Sequence, residues 1–117
     1  MLALDLVHPE HTERRLTVNG YVDTGCSRSL FDGRLALALG LDPSRGDRIP
    51  FVGATGVSVI GLLMPVRLAH PALGDFNLTI AFAQVHLSRN LLGRDFLDHV
   101  QLGVREHRQE FYLSPER

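Results

Sequence analysis

The sequence has few of the features that mark disulfide-rich, membrane or nucleic-acid-binding proteins. It contains one cysteine and no tryptophan in 117 residues, which excludes an internal disulfide and a cysteine zinc cluster within one chain. No segment approaches the roughly 20 apolar residues that span a bilayer. The N-terminal segment lacks a basic leader and carries Asp5 in its apolar part, so it is not typical of a signal peptide. A net charge of -1 argues against a nucleic-acid partner.

These absences favour an ordinary globular protein. A length of 117 residues suits one domain with one core, and we expect residues 1–117 to form it. Because a single cysteine fits a reducing compartment, the default expectation is a cytoplasmic protein. The six histidines are scattered, and Pro9 in His8-Pro9-Glu10-His11 prevents the helix that the zinc-protease motif requires. We therefore expect no metal, no cofactor and no membrane partner.

What the sequence does contain is a series of short segments in which apolar and other residues alternate. Turns rich in glycine, proline or charged residues separate these segments at about ten-residue spacing, which is typical of an all-β barrel or sandwich. The pattern predicts strands at residues 2–7, 16–22, 49–52, 57–60, 64–68, 76–82, 100–104 and 111–113.

Two segments favour helices instead. Leu35 to Leu39 consists of leucine and alanine, both strong helix formers, with Asp32 placed to cap the helix and Gly40 placed to end it. The second predicted helix, Gly93–His99, has Asp95 near its start, where a negative charge is favourable.

The stretch that carries chemistry is Tyr21-Val22-Asp23-Thr24-Gly25-Cys26-Ser27. A predicted strand ends there on a carboxylate, and the glycine allows the backbone to approach closely. A lone Asp-Thr-Gly is most often a plain turn. A second stretch further along, Leu91-Leu92-Gly93-Arg94-Asp95, favours a catalytic motif over a plain turn. A glycine-containing hairpin lies between the two stretches.

With these two stretches and the hairpin, the chain resembles the retropepsin-like (retroviral-type) aspartic proteases, as a cellular or bacterial member. The resemblance extends from about Leu16 to Leu113. It implies an all-β acid-protease fold, namely a small closed barrel with a flap hairpin and one or two short helices. It also implies an aspartic endopeptidase that hydrolyses an extended peptide or protein substrate.

A single carboxylate is a poor catalyst at neutral pH, whereas two carboxylates held about 3 Å apart share one proton and can act as base and acid together. This chain has one Asp-Thr-Gly. The dyad therefore requires a second copy of the chain, related by a two-fold axis. The resemblance implies the same homodimer, with Asp23 as the catalytic residue and Thr24 bonding across the axis. The Gly25 amide would support the carboxylate.

The resemblance assigns structural roles to the other matched residues. The flap tip, which would close over the substrate, comprises Gly53, Ala54, Thr55 and Gly56, although an ordinary hairpin tip would look the same. In the family, a stretch matching Leu91, Leu92 and Gly93 threads behind the catalytic loop and leads into a helix that begins near Arg94 and Asp95.

Two positions depart from the family pattern. Cys26 stands where alanine or serine is usual, and we expect it to act as a small buried filler in the site rather than as a nucleophile. Ser27 replaces the acid that pairs with arginine in viral enzymes, so Arg94 needs another partner. The C-terminal Phe111–Leu113 either joins a dimer sheet or closes a hairpin within its own subunit. The alternative function is a dimerising or peptide-binding module without turnover.

Overall fold

The computed structural model describes residues 1–52 and 58–109. Within these residues, no helix is both long and apolar enough to cross a membrane. The described residues form seven strands and two helices, in this order along the chain: β1 (Leu2–Val7), β2 (Arg15–Val22), β3 (Leu30–Phe31), α1 (Gly33–Leu39), β4 (Asp47–Val52), β5 (Ser58–His70), β6 (Gly74–Ala83), β7 (Asn90–Leu92) and α2 (Arg94–Gln109). A short 3-10 turn, Pro43–Arg45, precedes β4.

The strands form one sheet that closes on itself. Their order is β1-β2-β7-β3-β6-β5-β4, and β1 pairs with β5 as well as with β2. Six strands therefore form a closed barrel, and β4 lies outside the ring as the partner of β5. Most pairings are antiparallel, but β2 with β7 and β3 with β6 are parallel. The closed barrel that the family resemblance implies is confirmed.

Alternation along the strands decides which side chains fill the barrel. In β6 the apolar residues Phe76, Leu78, Ile80 and Phe82 are buried, while Asn77 and the other polar residues between them are exposed. This is the pattern expected of a sheet with one face on a core. The buried cluster contains residues from all six strands of the barrel, including Leu92 from β7, and from both helices.

Helix α1 has the ends that the sequence predicts. The Asp32 side chain accepts a hydrogen bond from the Arg34 amide at 3.1 Å, as an N-cap residue does. Gly40 has φ of 87°, and its N–H donates to the Leu37 carbonyl at 3.0 Å. That left-handed conformation favours glycine and ends the helix.

The predicted strand through Val100, Leu102 and Val104 is wrong, because these residues lie in α2. Phe96, Leu97 and Val100 all pack on the core, and their spacing is that of one face of a helix rather than of a strand. Val100, Leu102 and Val104 are spaced by two residues, as in a strand, but Phe96, Val100 and Val104 are spaced by four, as on one face of a helix. The contacts of Phe96 with the barrel select the helical spacing. The predicted strand Phe111–Leu113 lies outside the described residues.

The first prediction concerns the attachment of α2. Phe96 is 1% exposed, and its ring meets that of Phe76 edge to face, with 5.4 Å between centroids. We expect Phe96→Ala to lower the free energy of unfolding by about 3–5 kcal/mol, because it removes a buried aromatic side chain and leaves a cavity. Urea unfolding measures this change. Leu37→Ala, on the exposed side of α1, is the control, and equal losses in both variants would contradict this packing.

The second prediction concerns stability in acid. Burial alone raises the pKa of Asp32, but hydrogen bonds from Arg34 and His86 outweigh it, so the pKa lies below its ordinary value. A carboxylate with a lowered pKa stabilises the fold above its unfolded-state pKa of about 3.9, and this contribution disappears as pH falls through the folded-state value.

We therefore expect Asp32→Asn to be less stable than the native chain at pH 6, and we expect this deficit to be smaller at pH 2, because the stability that a carboxylate with a lowered pKa contributes is lost as pH falls through its folded-state value. Urea unfolding at both pH values measures the difference. Asp75→Asn, which changes an exposed carboxylate in β6, controls for the loss of one charge. A deficit of Asp32→Asn that is as large in acid as at pH 6 would refute this account.

Candidate active site

The backbone of Asp23 is fixed by the parallel pairing of β2 with β7. Tyr21 pairs with Leu91 and Val22 with Leu92, and the Asp23 N–H then donates to the Leu92 carbonyl at 2.9 Å. The pairing thus continues one residue beyond β2. Asp23 therefore directly follows a strand whose backbone is hydrogen-bonded to β7.

The turn that follows holds the Asp23 carboxylate at the edge of solvent. The Gly25 N–H donates to Asp23 Oδ1 at 3.0 Å, and the Cys26 N–H donates to the Asp23 carbonyl at 3.2 Å. Asp23 is half-buried, while Thr24 and Gly25 are exposed. The Gly25 amide lies where the resemblance requires it, although ordinary turns make the same contact. The geometry therefore shows a positioned carboxylate, and its catalytic role stays a prediction.

The chain passes behind this turn at Gly93. A Cβ at Gly93 would lie 2.7 Å from the Cys26 carbonyl oxygen and 2.8 Å from the Arg28 carbonyl carbon. Because these are backbone atoms, no larger residue fits without moving the turn. The Arg94 N–H donates to the Cys26 carbonyl at 2.8 Å, and the Asp95 N–H donates to the Ser27 carbonyl at 3.2 Å.

Ser29 and Asp95 fasten the end of the turn to the start of α2. Ser29 is fully buried, and its N–H donates to both Asp95 oxygens at 3.0 Å while its hydroxyl donates to Oδ1 at 2.8 Å. The Gly93 N–H donates to the Ser29 hydroxyl at 3.0 Å. Asp95 was predicted at the helix start and is found there, but its main partner, Ser29, has no signature in the sequence.

The site can now be compared with known proteins. A family model described as aspartyl protease matches residues 13–96, which is most of the chain and includes both stretches. The chain belongs to the aspartyl protease family. No match is found among curated protein sequences.

The fold of this chain is also that of a retroviral protease. It is similar to the solved structure of the EIAV protease in complex with the inhibitor HBY-793, with a TM-score of 0.61 and 21% identity. The similarity covers 87% of this chain and 86% of the viral chain. At this level of identity the comparison establishes the fold, so the predicted retropepsin-like architecture is confirmed.

The environment of Cys26 favours its thiol form. The residue is half-buried, and its Sγ donates to the Arg28 carbonyl at 2.8 Å. Burial raises the pKa of the Cys26 thiol, and the nearby Asp23 carboxylate acts in the same direction. Since the thiolate is the nucleophilic form, this environment favours the predicted role of a filler.

Two of the predicted site features are only partly described. The flap residues Gly53, Ala54, Thr55 and Gly56 lie outside the described residues, but the strands on either side pair in register as far as Val52 with Ser58. Arg94 is exposed, and no side chain that the structure describes accepts a hydrogen bond from its guanidinium. Its predicted partner within the chain is therefore not found in the described part.

The third prediction tests the Ser29–Asp95 contact. Asp95→Ala leaves the buried Ser29 N–H and hydroxyl without their acceptor, so we expect the free energy of unfolding to fall by about 2–4 kcal/mol. Asp95→Asn keeps one oxygen and should lose less. Urea unfolding gives the values, and amide exchange at Ser29 should accelerate.

Asp98→Ala is the matched control, because Asp98 is an exposed carboxylate on the same helix. We expect its effect to stay within about 0.5 kcal/mol, as for most surface substitutions. If Asp95→Ala is no worse than Asp98→Ala, the contact does not hold the turn.

Proposed function

We propose that this chain is an aspartic endopeptidase that acts as a homodimer, with one Asp-Thr-Gly turn from each protomer. The observation that carries the proposal is the Asp23 carboxylate. Asp23 is half-buried on an exposed turn, and its carboxylate accepts a hydrogen bond from the Gly25 N–H at 3.0 Å. The backbone of this turn packs closely against Gly93. A carboxylate held in this way suits acid–base chemistry, which depends on geometry before pKa.

The surface around the turn supports a second protomer. Val22, next to Asp23, is 54% exposed although it is apolar, and Thr24 is exposed as well. An isologous contact about a two-fold axis would cover these residues and place the two Asp23 side chains together. Thr24 would then bond to the turn of the partner.

Two carboxylates brought together in this way would hold one proton between them, as is known for aspartic proteases. The ionised carboxylate takes a proton from water as the water oxygen attacks the scissile carbonyl carbon. The protonated carboxyl gives its proton to the carbonyl oxygen. The tetrahedral diol then collapses and the C–N bond breaks. The leaving nitrogen takes the proton of the protonated carboxyl, and the ionised carboxylate takes a proton from a diol hydroxyl, which restores the singly protonated dyad.

The hairpin of β4 and β5 supports an extended peptide as substrate. Its side chains Ile49, Phe51 and Val59 pack with Leu30, which pairs with Leu91 of β7 beside the Asp-Thr-Gly strand. The hairpin therefore rises from the same side of the barrel as Asp23. A peptide between them would bind as a strand, through main-chain hydrogen bonds and pockets for alternate side chains.

The fourth prediction is that Asp23→Asn abolishes peptide cleavage and leaves folding intact. The asparagine oxygen can still accept the Gly25 amide, but the side chain cannot exchange a proton with water. The measurement is cleavage of a mixed peptide library from mildly acidic to neutral pH, analysed by mass spectrometry. Cleavage that persists in Asp23→Asn would exclude Asp23 as the catalytic residue.

Mixing the two proteins tests the shared site. If each active unit needs two Asp23 residues, random exchange of protomers makes activity fall as the square of the native fraction. A linear fall would mean that each chain acts alone. Peptide binding by the native protein without turnover at any pH would instead favour the non-catalytic module. Sedimentation over a dilution series gives the oligomeric state on which both interpretations depend.

A further inference from the structure

We propose that Arg89, held over the ring of Tyr21, forms a subsite beside Asp23 that selects peptides with an acidic side chain next to the scissile bond. The inference rests on the proposed endopeptidase function and adds the substrate class. It starts from one contact: the Arg89 guanidinium carbon lies 4.7 Å from the centroid of the Tyr21 ring.

The position of this contact follows from strand geometry. Tyr21 and Asp23 are two residues apart on an extended backbone, so their side chains leave the same face, about 7 Å apart along the strand. Leu91 is the register partner of Tyr21, and Arg89 precedes it by two residues. Arg89, Leu91, Tyr21 and Asp23 therefore share one face of the β2–β7 pair.

That face is the one beside the β4–β5 hairpin. Leu91 also pairs with Leu30 of β3, and Leu30 packs against Ile49, Phe51 and Val59 of the hairpin. A peptide bound between the hairpin and Asp23 would run past Tyr21. Because side chains on one face of an extended peptide repeat at the same spacing as those of the strand, a residue close to the scissile bond would meet Arg89.

The charge on Arg89 is available to a ligand. Among the described residues, no carboxylate lies within salt-bridge distance of Arg89. The acids that the neighbouring loops bring close are already engaged: Asp32 with Arg34 and His86, Asp95 with Ser29, and Asp23 with the Gly25 amide. The Arg89 side chain is exposed, so a substrate can reach it.

The chemistry of this pair favours a carboxylate. A guanidinium presents donors in a planar fork that matches two carboxylate oxygens, and stacking on an aromatic ring leaves its edge free to make those bonds. The half-buried Tyr21 ring limits the motion of Arg89 and reduces the entropy lost on binding. In the dimer each protomer would contribute one pair, so both sides of the scissile bond would have a basic subsite.

The experiment compares peptides that differ at the positions flanking the cleaved bond. A sequence cleaved by the native protein is synthesised with glutamate, glutamine, lysine or cysteic acid at each flanking position. The sulfonate of cysteic acid stays ionised in acid, so the test holds at any working pH. We expect the kcat/KM for the acidic peptides to exceed that for glutamine about tenfold, as a partly exposed charge-assisted bond allows.

Variants of the pair assign this preference to Arg89. Arg89→Leu should bring the ratio of kcat/KM for the glutamate peptide to that for the glutamine peptide close to one, and Arg89→Glu should favour lysine. Tyr21→Leu should weaken the preference, since the guanidinium loses its support. Arg67→Leu removes one positive charge on β5, where Arg67 contacts Asn77, and should leave the preference intact. These readouts separate selectivity from a loss of fold or of turnover.

The outcomes distinguish this inference from the function it rests on. If the native protein cleaves no peptide, or if Asp23→Asn remains active, the endopeptidase proposal fails and the subsite proposal falls with it. If cleavage depends on Asp23 but glutamate and cysteic acid give no advantage over glutamine, only the subsite proposal is overturned. An acidic preference that survives in Arg89→Leu would also overturn it.

Discussion

The site depends on one steric constraint, the passage of Gly93 directly behind the Asp-Thr-Gly turn. The 2.7 Å approach that a Cβ would make to the Cys26 carbonyl oxygen leaves room for hydrogen only. Because the backbones come so close, the Arg94 N–H reaches the Cys26 carbonyl, and the parallel β2–β7 pairing continues to Asp23. A distant segment therefore holds the backbone of Asp23, and the Gly25 N–H in its own turn holds the carboxylate.

The same constraint couples the site to the stability of the barrel. The fully buried Ser29 donates hydrogen bonds to the Asp95 carboxylate in the first turn of α2. Phe96, which follows Asp95, packs in the core against Phe76. A shift of α2 would therefore move the segment that follows the Asp-Thr-Gly turn. This arrangement gives rigidity to a loop that faces solvent, where loops are ordinarily mobile.

The charges on the outer face are arranged differently from those behind the turn. Behind it, the buried Ser29 and the half-buried Asp95 are paired with each other within the chain. In the part of the surface near Asp23 that the structure describes, apolar Val22 is exposed and cationic Arg89 has no carboxylate within salt-bridge distance. Groups of this kind are suited to contacts with other molecules, whether a second protomer or a peptide.

The sequence by itself determined the alternating strands, the capped helix from Gly33 to Leu39 and the two stretches that carry the family resemblance, because these depend on local periodicity, turn chemistry and motif spacing. It failed for residues 100–104, where the apolar spacing fits a strand and a helix alike, and where packing of Phe96 on the barrel selects the helix. It could not show that Ser29 meets Asp95, that Arg89 lies over Tyr21, or that Gly93 must be glycine. Each of these contacts joins residues far apart in the chain, and only closure of the barrel brings them within bonding distance.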